Sequence, residues 1–159
     1  DGLGGSHRYI LDYLLDEVLS RETERVREFL LRTCLLERFN ADLCAALCFQ
    51  ETDAAAAQSM LEALERSNLF LVPLDSQREW YRYHHLFSDL LRKRLGQANP
   101  ELLPRIHQRA SRWFEQRGEM IEAIGHSFSA GDLERAAGLI EQAADPIVRR
   151  SETGLLLNW

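Results

Sequence analysis

The stretch "LFLVPLDSQREWYRYHHLFSDLLRKRL", residues 69–95, decides the fold. A short apolar, partly β-branched run is followed by the polar turn 75–78 and the aromatic-rich run 79–83. Two such runs around a polar turn predict a β-hairpin. Because Pro73 has no N–H to donate to a ladder, its strand should lie at the edge of the sheet. From about His84 the apolar spacing changes to three and four residues, which predicts a helix.

Helical spacing also runs through the residues before this hairpin. This spacing predicts helices over about 7–20 and 22–33. A short helix should follow the N-cap Asn40, and a longer one should begin after the N-cap Asp53 and stop at Asn68. The inward side chains are expected to be Leu11, Leu14, Leu15, Val18, Leu19, Val26, Phe29, Leu30, Leu43, Cys44, Leu47, Cys48, Ala57, Met60, Leu61 and Leu64. Short helices, a hairpin and a closing helix are the order of a winged helix, with 53–66 in the slot of the recognition helix and 75–78 as the wing.

The segment "GQANPELLP" (96–104) is the best candidate for a domain boundary, since Gly, Asn and two prolines lie close together. We therefore divide the chain into a winged-helix domain with a preceding linker helix, 1–96, and a helical domain, 97–159. The apolar spacing of the second part, 97–159, predicts antiparallel, tetratricopeptide-like helical hairpins. The side chains expected to line its helices are Leu103, Ile106, Ala110, Trp113, Phe114, Ile121, Ile124, Phe128, Leu133, Ala136, Ala137 and Ile140. The fold class is mainly α with one small hairpin.

Composition narrows the class of protein. The chain has 159 residues, 45% of them hydrophobic and 28% charged, as in globular proteins. A net charge of −6 disfavours a broad phosphate-binding surface, and no apolar run approaches the roughly 20 residues that cross a bilayer. Three cysteines indicate free thiols in a reducing compartment, so a cytoplasmic location is expected. The last residues start a new apolar pattern (Leu155, Leu156, Trp159), which suggests a piece of a longer polypeptide.

The adjacent histidines His84 and His85 are the candidate site, with several roles open from the residues alone. A metal site is disfavoured because neighbouring side chains on a helix diverge by ~100° and no CxxC or HExxH motif occurs. Cys44 and Cys48 share a helix face, but free cysteines are usually buried for packing. His84 could equally form a hydrogen bond at the strand–helix junction. No carboxylates pair within a motif-bearing pocket, so we expect no catalytic residues and no metal.

Four stretches carry a resemblance to a known family: "SHRYILDYLLDEVLSR", "VREFLLRTCLLERFNADLC", the segment 64–95, and "HQRASRWFEQRGEMIEAIGHSFSAGDLERAAGLIE". They resemble the central segment of MalT-type, large ATP-dependent LuxR-family transcriptional activators, which are signal-transduction NTPases. The stretch 48–60 departs from the pattern. The resemblance implies a winged helix followed by the first repeats of a superhelical sensor. The P-loop signature GxxxxGK[ST] does not occur in this chain, so the nucleotide-binding domain and the C-terminal helix-turn-helix would lie elsewhere in the parent protein.

The resemblance also implies a role for the histidines. Related NTPase switches carry a Met-His-Asp-like motif at this joint, and its histidine reaches the β-phosphate of ADP on the neighbouring domain. In "RYHHLFSDL", Tyr83 matches the Met, His84 the His, and His85 stands where those switches have Asp. His84 is thus expected to sense nucleotide, with Tyr83 and His85 in support. A helix N-terminus, where backbone N–H groups favour anions, suits that contact.

The function expected from the resemblance is regulatory. ADP or ATP with Mg²⁺ would be bound by the intramolecular nucleotide-binding domain, an unknown inducer by the repeats, and DNA only by the C-terminal domain of a parent that self-associates when active. DNA binding by this chain is disfavoured because the helix in the recognition slot carries Asp53, Glu62 and Glu65 against Arg66. The alternative is a stand-alone helical-repeat adaptor that binds proteins.

Overall fold

The computed structural model describes the backbone of residues 3–48 and 53–149 and the side chains of residues 9–48 and 53–144. Contacts between Cα atoms divide the chain into two compact units, Asp1–Pro100 and Glu101–Trp159. The predicted apolar pattern at 155–159 lies outside the described residues. Within the described ranges, no helix is long and apolar enough to cross a membrane.

The first unit is a winged helix preceded by a long helix. Its elements in chain order are α1 Leu3–Arg21, α2 Glu24–Thr33, α3 Ala41–Cys48, α4 Ala54–Arg66, β1 Leu71–Pro73, β2 Tyr81–Tyr83 and α5 His85–Ala98. This order of helices and hairpin is the predicted one, so the predicted fold class is confirmed.

Side-chain caps set the beginnings of the three short helices before the hairpin. The Thr23 hydroxyl accepts from the N–H of Val26, the Asn40 Oδ1 from Leu43 at 2.9 Å, and the Asp53 Oδ1 from Ala56 at 3.0 Å. Each cap satisfies an N–H group that has no partner within its helix. The expected N-caps Asn40 and Asp53 are therefore confirmed.

The hairpin is completed on its other side by a single residue of the α2–α3 connection. Strands β1 and β2 are antiparallel, with Leu71 opposite Tyr83 and Pro73 opposite Tyr81. Phe39 forms an isolated bridge with Tyr81, in which each N–H donates to the other residue's carbonyl at 2.9 and 2.8 Å. The sheet thus has β2 at its centre and β1 at an edge, where the missing N–H of Pro73 is tolerated.

The core of the winged helix is built on the inward side chains of β2. Tyr81 and Tyr83 are buried, whereas Arg82 between them is not, as expected from the two-residue period of a strand. The Tyr83 ring lies 4.8 Å from the Phe39 ring and 5.8 Å from the Phe87 ring, centroid to centroid. Its hydroxyl is 2.7 Å from the Oγ1 of Thr33, which in turn donates to the carbonyl of Phe29.

Helix α1 packs on α5 through a narrow apolar contact. Leu15 and Leu19 are buried, and the ion pairs Asp12–Lys93 (2.5 Å) and Asp16–Arg94 (3.2 Å) lie at the exposed margin. Exposed ion pairs add little stability, so burial of the leucines dominates this contact. The expectation that Leu14 also faces inward is wrong: half of its surface is exposed.

In the second unit the described helices are α6 Leu102–Gln116, α7 Met120–Ser129 and α8 Leu133–Arg149, each joined to the next by three residues. Ser111 of α6 contacts both the carbonyl of Ala123 and the hydroxyl of Ser127 on α7, while His107, one turn earlier, contacts His126. Helix α7 packs in turn on α8. Two packed helices joined by so short a connection form a helical hairpin.

The two aromatic residues near the C-terminal end of α6 lie in the core, as predicted. Trp113 and Phe114 are buried, with ring centroids 5.1 Å apart in an edge-to-face arrangement. The expectation that Ile121, Phe128 and Leu133 face inward is wrong: their side chains are 56%, 44% and 64% exposed. The buried face of α7 is formed by Ala123, Ile124 and Ser127, of which only Ile124 was predicted to face inward.

Substituting Tyr83 by Phe removes the hydroxyl from the buried bond to Thr33 and should lower the free energy of unfolding by about 1–2 kcal/mol, because the Thr33 oxygen loses its donor inside the core. Tyr13→Phe is the matched control, since Tyr13 is 67% exposed and should show no change. Urea unfolding followed by circular dichroism measures both. Equal stability of the two variants would contradict the role given to this bond.

Candidate functional site

The junction between β2 and α5 places His84 by its backbone. The N–H of His84 donates to the carbonyl of Phe70 at 2.8 Å, and its own carbonyl accepts the first intrahelical bond of α5, from Ser88, at 3.0 Å. His84 is therefore the N-cap residue of α5, with φ −58° and ψ 136°. Its side chain forms no capping bond to that helix. The backbone of His84 is thus held on both sides, while its imidazole does not cap the helix that follows.

The His84 side chain is exposed and borders an apolar groove. The groove has a volume of about 320 Å³ and lies among α1, Phe70 just before β1, and the first turns of α5. Its lining residues are Leu11, Leu14, Leu15, Val18, Phe70, His84, Leu86, Phe87 and Leu90. His84 is the one histidine among these side chains, so it supplies a polar group at an otherwise apolar margin.

Tyr83 and His85, the two residues expected to support His84, have different surroundings. Tyr83 is buried, and burial raises the pKa of its hydroxyl well above the ordinary value, so it remains neutral and bound to Thr33. Its contribution to the site is to hold the end of β2. His85 is exposed as the first residue of α5, and its carbonyl accepts from the Ser88 hydroxyl at 2.9 Å.

This arrangement suits contact with an anion from outside the unit. The first N–H groups of a helix have no partner within it and carry the positive end of the helix dipole. His84 and His85 both lie at that end of α5 and both are exposed. An imidazole N–H can donate to a phosphate oxygen beside those groups. The geometry therefore permits phosphate recognition, with His84 as the side-chain donor.

Of the two cysteines that offered a rival metal site, Cys44 is buried in the core and Cys48 is partly exposed. Cys44 is fully buried, and burial raises the pKa of its thiol well above the ordinary value, with Cys48 adding to the shift. Burial likewise raises the pKa of Cys34 to about 12. A protonated thiol is a poor metal ligand. Within residues 9–48 and 53–144, no three His, Cys, Asp or Glu side chains cluster as metal ligands would.

The helix in the recognition slot, α4, faces the wing across a polar crevice that is not basic. Glu62 and Glu65 line it beside Arg66 and Arg78, and Glu65 pairs with Arg78 of the wing at 3.3 Å. The wing turn itself is held by Asp75, whose carboxylate accepts from the N–H groups of Glu79 and Trp80; these bonds lower its pKa. A balanced, paired set of charges does not neutralise a row of phosphates.

A histidine pair in the second unit is the other titratable feature. The Nδ1 atoms of His107 and His126 are 2.8 Å apart, so one must carry a proton and the other accept it. The His126 ring also stacks on Phe114, with centroids 5.4 Å apart. Burial, and secondarily the charge on His107, lowers the pKa of His126 from 6.5 to about 4. His126 is thus neutral near pH 7.

Sequence reasoning located the junction but missed the residues that hold it. Phe39 forms its bridge to Tyr81 as a single residue, too short to show a strand pattern. Thr33 is the last residue of α2 and was not a candidate partner for Tyr83, 50 positions away. Phe70 belongs to the predicted strand run, but no sequence signal shows that its carbonyl binds His84. Each of the three contacts joins residues that are far apart in the sequence, so no local pattern predicts it.

The first unit is a winged helix, because its helices surround a two-stranded hairpin to which Phe39 adds a one-residue bridge. Comparison with known proteins identifies which kind of winged helix it is. The model of the MalT winged helix domain matches residues 15–103. The chain therefore belongs to the MalT winged-helix domain family, as the sequence resemblance predicted.

Relatives with two different names align over 98% of the chain. HTH-type transcriptional regulator MalT from Klebsiella pneumoniae subsp. pneumoniae is 38% identical over 155 residues, and MalT from Cronobacter sakazakii is 36% identical over 155 residues. Serine/threonine-protein kinase PknK from Mycobacterium tuberculosis is 34% identical over 156 residues. The chain spans only 14–16% of the length of these relatives.

The charge pattern of α4 predicts that the chain does not retard generic duplex DNA in a gel-shift assay at low salt, about 50 mM. The double variant Glu62→Lys, Glu65→Lys reverses the acidic charges of the crevice and should gain weak, salt-sensitive binding. Tight, salt-sensitive binding by the unaltered chain would contradict this prediction.

The depressed pKa of His126 predicts a loss of stability in acid. Above pH 6.5 the imidazole is neutral whether the chain is folded or unfolded. As the pH falls from 6.5 toward about 4, only the unfolded chain binds the proton at this residue. The free energy of unfolding therefore falls by up to about 3 kcal/mol. His126→Gln removes this titration. Denaturant unfolding at about pH 7 and about pH 4.5 should therefore show a larger loss for the unaltered chain than for the variant. Equal losses would contradict the shift.

Proposed function

We propose that this chain is the switch segment of a larger, nucleotide-dependent transcriptional regulator. In this proposal the winged helix contacts ADP on a neighbouring nucleotide-binding domain through His84. The helical unit begins the sensor, which binds an inducer. The segment couples these two events to an output domain elsewhere in the parent protein.

The exposed position of His84 is the observation that carries the proposal. A histidine kept for packing would be expected to bury its ring or cap α5, and His84 does neither. Its backbone is nevertheless held on both sides, by Phe70 and Ser88. A residue whose backbone is held by hydrogen bonds and whose side chain is exposed is suited to contact another domain.

The names of the relatives support a regulatory role rather than catalysis by this segment. One relative is named a serine/threonine-protein kinase and others HTH-type transcriptional regulators, yet all align over 98% of the chain. A segment common to proteins with different outputs is better suited to control than to either chemistry. We therefore propose that the chain is not itself an enzyme, and that Mg²⁺ with ADP or ATP is bound by the neighbouring domain.

The second unit supports the sensing part of the proposal. Ile121, Phe128 and Leu133 are large apolar side chains that remain exposed on α7 and α8. Exposed apolar side chains on neighbouring helices are typical of surfaces that bind a further element or partner. The same surface would serve the alternative function, a protein-binding adaptor, which requires no nucleotide.

Nucleotide retention in the intact parent protein tests the proposal, with His84→Ala beside Gln97→Ala as the control. Gln97 is exposed like His84 but lies at the opposite end of α5. Protein purified without added nucleotide is denatured, and released ADP and ATP are quantified by chromatography. Loss of a charge-assisted hydrogen bond should speed ADP release about ten- to a hundredfold in His84→Ala and change it little in Gln97→Ala. Equal retention and equal exchange rates in all proteins would refute nucleotide contact by His84, and an absence of bound nucleotide from the parent would favour the adaptor.

A further inference from the structure

Tyr81 carries a buried hydroxyl that has no hydrogen-bond partner among the described residues. The residue is fully buried, as is expected of an inward side chain of β2. Tyr83, two positions later, is also buried, but its hydroxyl bonds Thr33. A buried hydroxyl without a partner lowers the stability of a fold, because it has given up its bonds to water. Packing of the core therefore gives no reason for a hydroxyl at position 81, where phenylalanine would fill the same space.

The hydroxyl of Tyr81 is directed at the crevice between α4 and the wing. This crevice has a volume of about 530 Å³, and Tyr81 is one of its lining residues. Burial raises the pKa of the Tyr81 hydroxyl and the charges of Glu65 and Glu62 raise it further, whereas Gln58 and Arg78 lower it. All four of these groups also line the crevice. The groups that act on the hydroxyl are thus those of the crevice, and the hydroxyl stays protonated near pH 7.

The inner part of the crevice is acidic, and its cations lie nearer to solvent. The side chain of Glu65 is 22% exposed, whereas that of Arg78, which pairs with it at 3.3 Å, is 67% exposed. Arg66 is exposed and is not among the groups that shift the pKa of Tyr81. Two carboxylates and one guanidinium therefore act on the hydroxyl. A cation that enters the crevice is favoured there over an anion.

The side chains around the hydroxyl leave acceptor capacity unused. Gln58 donates its amide N–H to Glu62 at 3.1 Å, and Arg78 pairs with Glu65. A carboxylate has about four lone-pair sites, so each glutamate can accept further hydrogen bonds. The oxygen of Tyr81 adds another acceptor. A guanidinium has five N–H donors in a planar fork and no acceptor, so it suits a set of carboxylate and hydroxyl oxygens.

We propose that the crevice between α4 and the wing binds an arginine side chain of a partner protein. The incoming guanidinium donates to the hydroxyl oxygen of Tyr81 and to the carboxylates of Glu62 and Glu65. Because the hydroxyl is covered by its neighbours, the exposed side chain of Arg78 moves aside as the guanidinium enters. This site does not involve His84, so it stands or falls independently of the proposed nucleotide contact.

The stability of Tyr81→Phe tests whether the hydroxyl already has a partner within the fold. We expect this variant to unfold at the same urea concentration as the unaltered chain or at a higher one, because it loses only an unpartnered group. Tyr83→Phe is the matched comparison and should unfold at a lower concentration, since it loses the bond to Thr33. A loss in Tyr81→Phe as large as that in Tyr83→Phe would overturn the proposal.

Binding is measured by nuclear magnetic resonance on the chain with ¹³C-labelled tyrosine. The probe is N-acetyl-arginine amide, and N-acetyl-citrulline amide is its matched control, of similar shape but uncharged. The Tyr81 signal is identified as the one missing from Tyr81→Phe. We expect the signal of its hydroxyl-bearing ring carbon to shift to saturation with a Kd of about 1 mM for the arginine probe. The Tyr13 signal should not move, because that residue lies outside the crevice.

Glu65→Gln and Glu62→Gln show whether the carboxylates hold the guanidinium. Each keeps the shape of the side chain and removes its charge, so each should raise the Kd of the arginine probe about tenfold. The Tyr81 signal reports binding in both variants. No saturable shift of that signal, an equal shift with the citrulline probe, or an unchanged Kd in both variants would overturn the proposal.

Discussion

The buried hydrogen bond between Tyr83 and Thr33 ties the hairpin to the helices, and the rest of the winged helix depends on it. A polar pair inside a core is stable only when each group has a partner, and here the Thr33 hydroxyl donates its own hydrogen bond to the carbonyl of Phe29. These hydrogen bonds fix which side chains of β2 face the core. Because side chains alternate along a strand, inward Tyr81 and Tyr83 require that Arg82 and His84 point the other way.

The position of His84 follows from that alternation and from the helix that begins immediately after β2. His84 is exposed because Tyr83 is buried, and it stands at the N-terminus of α5 because β2 ends there. The site is therefore a consequence of how a strand passes into a helix. Relatives named for kinase and for transcriptional functions both align with 98% of this chain.

Much of the first unit could be predicted because its signals are local. The caps Asn40 and Asp53 and the polar turn at 75–78 act within a few residues of themselves. The inward faces were harder to predict. Periodicity correctly placed Ile124 in the core of the second unit, but it also assigned the exposed Ile121 and Phe128. A helical period shows which side chains share a face; it does not show how much of that face a neighbour covers.

By itself, the sequence determined the order of elements, the helix caps, the hairpin turn and the junction at which the histidines lie, because these depend on residue types and short spacings. Only the tertiary structure decided that Phe39 forms a bridge to Tyr81, that Thr33 bonds the hydroxyl of Tyr83, and that the carbonyl of Phe70 accepts from the N–H of His84. Each of these contacts joins residues that are far apart in the chain. A distant partner leaves no local pattern in the sequence, because the packing of the whole unit brings the two residues together.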